Sequence, residues 1–146
     1  MEDNKPEVGG YGDEWASIII TGANSGLGYE CAKSLLKGDW GSKEKRWYVI
    51  FACRDEGRTN EAIERIHKEI GKENMKGIAR YMNCDLGSLA SVRAFAKAVE
   101  DELATEPPRI PQLKALVLNA GLHIVNGTQF TQDGYDYTTI LFHILT

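Results

Sequence analysis

Cysteine is scarce in this chain, and the three present follow no pattern. Cys31, Cys53 and Cys84 are an odd number with wide, irregular gaps, which excludes a zinc-ligand spacing and fits a reducing compartment. The expected address is therefore cytoplasmic. No apolar run approaches the length needed to span a bilayer, and Met1-Glu2-Asp3-Asn4-Lys5 does not open a signal peptide. Positive charge is not in excess either. The net charge is -4, so neither nucleic acid nor an anionic membrane is indicated as a partner. Solenoid-length repeats and low-complexity tracts are absent. What remains is ordinary for a globular protein: 42% hydrophobic and 26% charged residues in a chain of 146, enough for one domain with a real core.

The stretch that organises the chain is Thr21-Gly22-Ala23-Asn24-Ser25-Gly26-Leu27-Gly28. It follows an apolar run, Trp15 to Ile20, and precedes a segment of helical periodicity from Leu27 to Leu36, closed by Gly38. Strand, glycine turn and helix in that order suit a dinucleotide pyrophosphate. Glycines let the backbone approach the phosphates, and the helix start offers free N–H groups and a positive dipole end. A nucleotide hydrolase of the P-loop type would need Gly-Lys-Ser/Thr to close the loop. Leu27-Gly28-Tyr29 stands there instead.

Residues 1–13, polar and glycine-rich, read as a flexible leader, and residues 14–146 as one nucleotide-binding domain. A polar loop from Asp39 to Arg46 leads to a second apolar run, Trp47 to Cys53. Continuously apolar strands of this kind are covered on both faces, as in a parallel sheet. A second helix is expected over Asp55 to Ile70, with Ile63, Ile66 and Ile70 on one stripe, His67 on its surface and Gly71 ending it. A weaker third strand covers Ile78 to Cys84. Ser88 then caps a helix with Leu89, Val92, Phe95, Ala96, Val99 and Leu103 on one face. After the breaker loop Glu106 to Pro111 comes a fourth strand, Ala115 to Leu118. Alternating strands and helices predict an α/β, Rossmann-type doubly wound parallel sheet of order 3-2-1-4. Its ligand crevice lies at the carboxyl strand ends, marked here by Thr21, Arg54, Asp85 and Asn119.

Three short motifs at those strand ends together resemble the short-chain dehydrogenase/reductase family, from about Trp15 to Gly134. They are Thr21-Gly22 with Gly26 and Gly28, Asp85-Leu86, and Asn119-Ala120-Gly121. The wording of the first loop and of Ala52-Cys53-Arg54-Asp55 is most similar to the retinol-dehydrogenase and protochlorophyllide-reductase-like branch. The resemblance implies that Thr21, Gly22, Asn24, Ser25, Gly26, Leu27 and Gly28 hold the cofactor, that Asp85 and Leu86 meet the adenine, and that Asn119, Ala120 and Gly121 border the nicotinamide. Leu118 replaces the Asn that usually precedes this last motif. Arg54 at the end of the second strand suits a ribose 2′-phosphate, so NADP(H) is expected over NAD(H). Asp55 beside it is the competing group.

The family's proton donor is a Tyr followed by Lys one helical turn later, with a Ser and an Asn, on elements after the fourth strand. Tyr29 and Lys33 have that spacing but sit in the first helix and are read as a decoy. No Asn follows Asn126, and Thr138 to Thr146 keeps a faint echo of the helix that would carry one. His143 reads as a plain helix residue. The expectation is thus the cofactor-binding half of an oxidoreductase for a small carbonyl or alcohol, or a reducible double bond, cut before the fifth strand and inactive alone. Its fourth strand would form an open edge prone to self-association. The alternative is a non-catalytic NADP(H)-binding sensor or regulator.

Overall fold

The computed structural model describes residues 10–40, 45–122, 124 and 127–138. Its elements are β1 (Trp15–Thr21), α1 (Gly26–Lys37), β2 (Arg46–Cys53), α2 (Glu56–Ile70), β3 (Ile78–Asn83), α3 (Leu89–Leu103) and β4 (Leu113–Val117). A short 3-10 turn, Lys72–Asn74, precedes β3. The strands are all parallel and run β3-β2-β1-β4 across the sheet. This is the α/β order expected from the sequence.

Both faces of the sheet are covered, which is why β1 and β2 read as unbroken apolar runs. Ile18 and Ile20 of β1, with Val49, Phe51 and Cys53 of β2, face one layer. There they meet Ala32, Leu35 and Leu36 of α1 and Ala62, Ile63, Ile66 and Ile70 of α2. The alternate residues, Ile19, Tyr48, Ile50 and Ala52, turn to the other face and pack with Met82, Val99 of α3 and Ile110. The same alternation separates two cysteines. The Cys84 amide donates to the Cys53 carbonyl (3.0 Å), yet Cys53 belongs to the first core and Cys84 to the second. Their thiols therefore lie on opposite sides of the sheet and stay free.

The helix ends follow from local chemistry. Gly38 adopts a left-handed conformation (φ 82°) and donates to the Leu35 and Ser34 carbonyls, closing α1. Asp55 stands just outside α2 and accepts from the Arg58 amide (2.9 Å), so the helix starts one residue later than its sequence suggests. Ser88 caps α3 in the same way, through Ser91 N. Ala96 does not join the buried stripe of α3. It is exposed, and Ala98 packs with Val92, Phe95, Val99 and Leu103 instead.

At β4 the bounds differ from the sequence reading. The strand begins at Leu113, where a register irregularity lies opposite Ser17 and Ile18, and it ends at Val117, so Leu118 lies beyond it. Ser17, fully buried, donates its hydroxyl to the Pro111 carbonyl (2.7 Å) and anchors this entry. Among the described residues, β4 is an edge of the sheet. Leu116, opposite Ile19 in register, is 55% exposed, and Leu118 is 42% exposed.

Tyr11, in the stretch read as leader, packs edge-on against both Trp15 and Tyr48. Residues 1–9 of that stretch lie outside the described residues. Among the described residues, no helix is long and apolar enough to cross a membrane.

Candidate functional site

Parallel strands place all four carboxyl ends along one edge, and the chain changes direction there. From β1 it winds outward through β2 and β3, then returns to the other side of β1 as β4. Such a reversal opens a crevice between the loops that leave β1 and β4.

The β1 loop turns the chain from strand into helix on glycine. Gly22 (φ 66°) makes the turn and donates to the Ala52 carbonyl (3.1 Å), and Gly26 (φ 56°) opens α1. Ser25 holds the N-cap position in extended conformation, but its hydroxyl makes no capping bond, and the first turn carries no acidic residue. Among the described residues, the N–H groups at the start of α1 have no side-chain hydrogen-bond partner, and the positive end of the helix dipole is uncompensated there. Space is available on the same side. A β-carbon on Gly26 would meet nothing within 4 Å, and the same holds at Gly121. Leu27, 84% exposed, and the half-buried Asn24 flank this opening.

Gly28 has the opposite requirement. A β-carbon there would fall 2.5 Å from Asn119 Nδ2 and 2.8 Å from the Gly22 carbonyl. The close approach exists because Asn119 and Thr21 tie the two loops together. Asn119 Nδ2 donates to the carbonyls of Thr21 (3.0 Å) and Gly22 (3.3 Å). The Thr21 hydroxyl oxygen accepts from the amides of Asn119 and Ala120, both at 3.0 Å. Ala120 in turn lies against Gly22, where a β-carbon would be 3.0 Å from its Cα. Thr21 is 4% exposed. Its side chain holds the crevice together from inside, while Gly121 is left on its surface.

Arg54 follows β2 directly, is exposed and forms no ion pair among the described residues. Asp55 is committed to α2: its Oδ1 accepts from Arg58 N, and its carbonyl accepts from the Thr59 hydroxyl (2.6 Å). Asp85 lies beyond β3, with its amide donating to Ser91 Oγ (2.9 Å) and its Oδ1 accepting from Gly87 N (2.8 Å). Leu86 is buried in the second core. Burial, with the Asp85 and Cys53 charges adding to it, pushes the neighbouring Cys84 thiol up to about 11. It is protonated at neutral pH and a poor nucleophile.

The Tyr29–Lys33 pair lies elsewhere. The Tyr29 ring is buried between α1 and α2, and its hydroxyl accepts from Arg65 Nε (3.0 Å). Lys33 sits over the ring face, 5.3 Å from its centroid, and pairs with Glu30 and Glu69. His143 and the rest of 139–146 lie outside the described residues, as does Asn126.

Two contacts escaped the sequence reading. The Asp133 carboxylate accepts from the Leu89 amide (2.8 Å), and the Tyr137 ring lies against Gly87. Thr131-Gln132-Asp133-Gly134 carries a turn signal, but the partner of Asp133 is 44 residues away, and nothing local names it.

A family profile described as short chain dehydrogenase matches residues 16–140. The chain belongs to that family. The WW domain-containing oxidoreductase of Gallus gallus is 39% identical over 128 residues, covering 87% of this chain and 26% of that protein. Retinol dehydrogenase 14 of Mus musculus is 37% identical over 126 residues, covering 82% and 33%. The chain thus spans about a quarter to a third of the length of these curated relatives. In fold it is similar to L-sorbose reductase from Gluconobacter frateurii, solved with NADPH and L-sorbose. The TM-score is 0.53 at 17% identity, over 86% of this chain and 40% of that one.

The two glycines of this short-chain dehydrogenase loop should respond differently to substitution. Gly28→Val drives a side chain into Asn119 and Gly22 and costs about 1–3 kcal/mol or more of stability. Gly26→Val meets open space and costs about 1–2 kcal/mol of left-handed strain, leaving the fold intact. Both should abolish dinucleotide binding. Urea unfolding followed by circular dichroism reads the first difference, and cofactor titration the second. Normal binding by Gly28→Val contradicts the site.

Proposed function

We propose that residues 14–146 form the NADP(H)-holding part of a short-chain oxidoreductase that interconverts a carbonyl, or a reducible double bond, with its reduced form. The observation that carries this reading is the uncapped start of α1, set beside open space at Gly26 and Gly121. Thr21, Gly22, Asn24, Ser25, Gly26, Leu27 and Gly28 would hold the pyrophosphate and adjoining ribose. Asp85 and the Leu86 backbone would receive the adenine, and Asn119, Ala120 and Gly121 would border the nicotinamide. The cofactor supplies the hydride when bound. This chain's residues bind it and orient it, and none of them is assigned the proton donor. The substrate is a small carbonyl or alcohol.

The preference for NADP(H) rests on charge. Arg54 is exposed and unpaired among the described residues, and its planar guanidinium matches a phosphate. Asp55, which would favour a free 2′-hydroxyl, spends one carboxylate oxygen on the α2 cap. Free thiols on opposite faces of the sheet fit a reducing compartment, and we place the protein in the cytoplasm.

Arg54→Ala should weaken NADPH binding by about 1.5–3 kcal/mol, the range for a hydrogen bond to a charged group. NADH binding should change little. Calorimetric titration of both cofactors decides it, and equal losses would sink the 2′-phosphate assignment.

We also infer self-association of this chain through β4. Leu116 of β4 and Leu118 just beyond it are exposed, with Lys114 as the nearby charge that could protect the edge. Light scattering on the purified chain should show a dimer or larger species, or the chain should be poorly soluble. A monodisperse monomer would refute the edge argument.

A further inference from the structure

Residues 127–138 form a strap that docks on the amino-terminal end of α3. The strap has its own closed turn. Thr131 is buried, its amide donates to the Tyr135 carbonyl (2.7 Å), and its hydroxyl accepts from Tyr135 N (3.2 Å). Gly134, at φ 80°, donates to the Thr131 carbonyl (3.0 Å). This turn projects Asp133, whose Oδ2 accepts from Leu89 N at 2.8 Å. Ser88 already caps α3 through Ser91 N. Asp133 therefore satisfies a different amide of the same helix start, by a charge-assisted bond in the sense the helix dipole favours.

The strap also reaches the loop before the helix. The Tyr137 ring packs on Gly87 so closely that a β-carbon there would fall 2.7 Å from Cε1 and 2.8 Å from the hydroxyl. Gly87 is the residue whose amide donates to Asp85 Oδ1, and Ser88 N donates to the Asp85 carbonyl (3.1 Å). A line of contacts thus runs from Asp133 through Leu89 and from Tyr137 through Gly87 to the Asp85 carboxylate.

We propose that Asp133 is a positioning residue for the adenine end of the crevice, holding Tyr137 as a plate over Gly87 and so fixing Asp85. The proposal rests on the cofactor reading given above. When Asp133 no longer grips Leu89, the strap and the Tyr137 ring loosen. Gly87, with no side chain to restrict it, then turns freely and carries the Asp85 contact with it. Among the described residues no hydrogen bond ties the glycine turn at α1 to these groups, so that turn keeps its shape. α3 keeps its Ser88 cap, so the helix survives.

The test uses the whole chain in four forms: unaltered, Asp133→Ala, Asp133→Asn and Tyr137→Ala. Exchange of the Leu89 amide with solvent, followed by NMR without ligand, reads the latch itself and should speed up in Asp133→Ala. Calorimetry with 2′,5′-ADP, the adenine half of the cofactor, reads its consequence. Its Kd should rise about tenfold in Asp133→Ala and in Tyr137→Ala, the scale of one charge-assisted hydrogen bond. Asp133→Asn keeps an acceptor oxygen and should restore most of that affinity. If the unaltered chain binds 2′,5′-ADP and Asp133→Ala binds it equally well, the bracing role is overturned while the cofactor reading stands. If the unaltered chain does not bind it, the cofactor reading falls and takes the bracing role with it. Leu89 exchange unchanged in Asp133→Ala overturns the latch.

Discussion

The crevice depends on one buried hydroxyl. Thr21 Oγ1 accepts two amide hydrogens from the far side of the β1–β4 reversal, and Asn119 returns two bonds from its side-chain amide. Hydrogen bonds shielded from water contribute about 0.5–1.5 kcal/mol each, but leaving such a group unpaired costs about 1–3 kcal/mol. The bracket is therefore more strongly enforced than its net stabilisation suggests. It draws β4 against the turn so closely that Gly22 and Gly28 cannot carry side chains. Gly26, one turn position away, escapes that pressure and faces open space. Two reasons for glycine thus operate in one loop, close contact with the protein at 22 and 28 and a left-handed backbone beside open space at 26.

Burial of the sheet on both faces explains why so much of this chain could be read in advance. A strand buried on both faces must be apolar throughout, so β1 and β2 announce themselves and force a parallel sheet. Helix ends announced themselves through Gly38, Gly71 and Ser88, each acting through its own backbone or side chain. The family's motifs stood at three of the strand ends, and the matching profile over residues 16–140 bears out that resemblance.

What escaped the sequence depended on distance or on phase. Ala96 and Ala98 are both small and apolar, and the period alone did not decide which one the sheet would cover. The start of β4 was set by Ser17, whose hydroxyl bond to Pro111 spans most of the chain. Asp133 is the clearest case. Its partner is a backbone amide at Leu89, and backbone groups leave no trace in a sequence. Asp55 was visible as a rival to Arg54, but only the geometry shows its carboxylate turned back to cap α2. Tyr29 and Lys33 show the reverse: a familiar spacing whose side chains are occupied by Arg65, Glu30 and Glu69.

The central claim is that a dinucleotide seats its phosphates on the start of α1, between the loops that Thr21 and Asn119 hold together. NMR of the ¹⁵N-labelled chain during titration with NADPH tests it at the level of single amides. The account predicts the largest shifts at Gly26, Leu27 and Gly28, with further shifts at Asn119 to Gly121. It predicts little change at the carboxyl ends of α1 and α2. Shifts confined to those distant ends, or an unchanged spectrum at saturating NADPH, would contradict it.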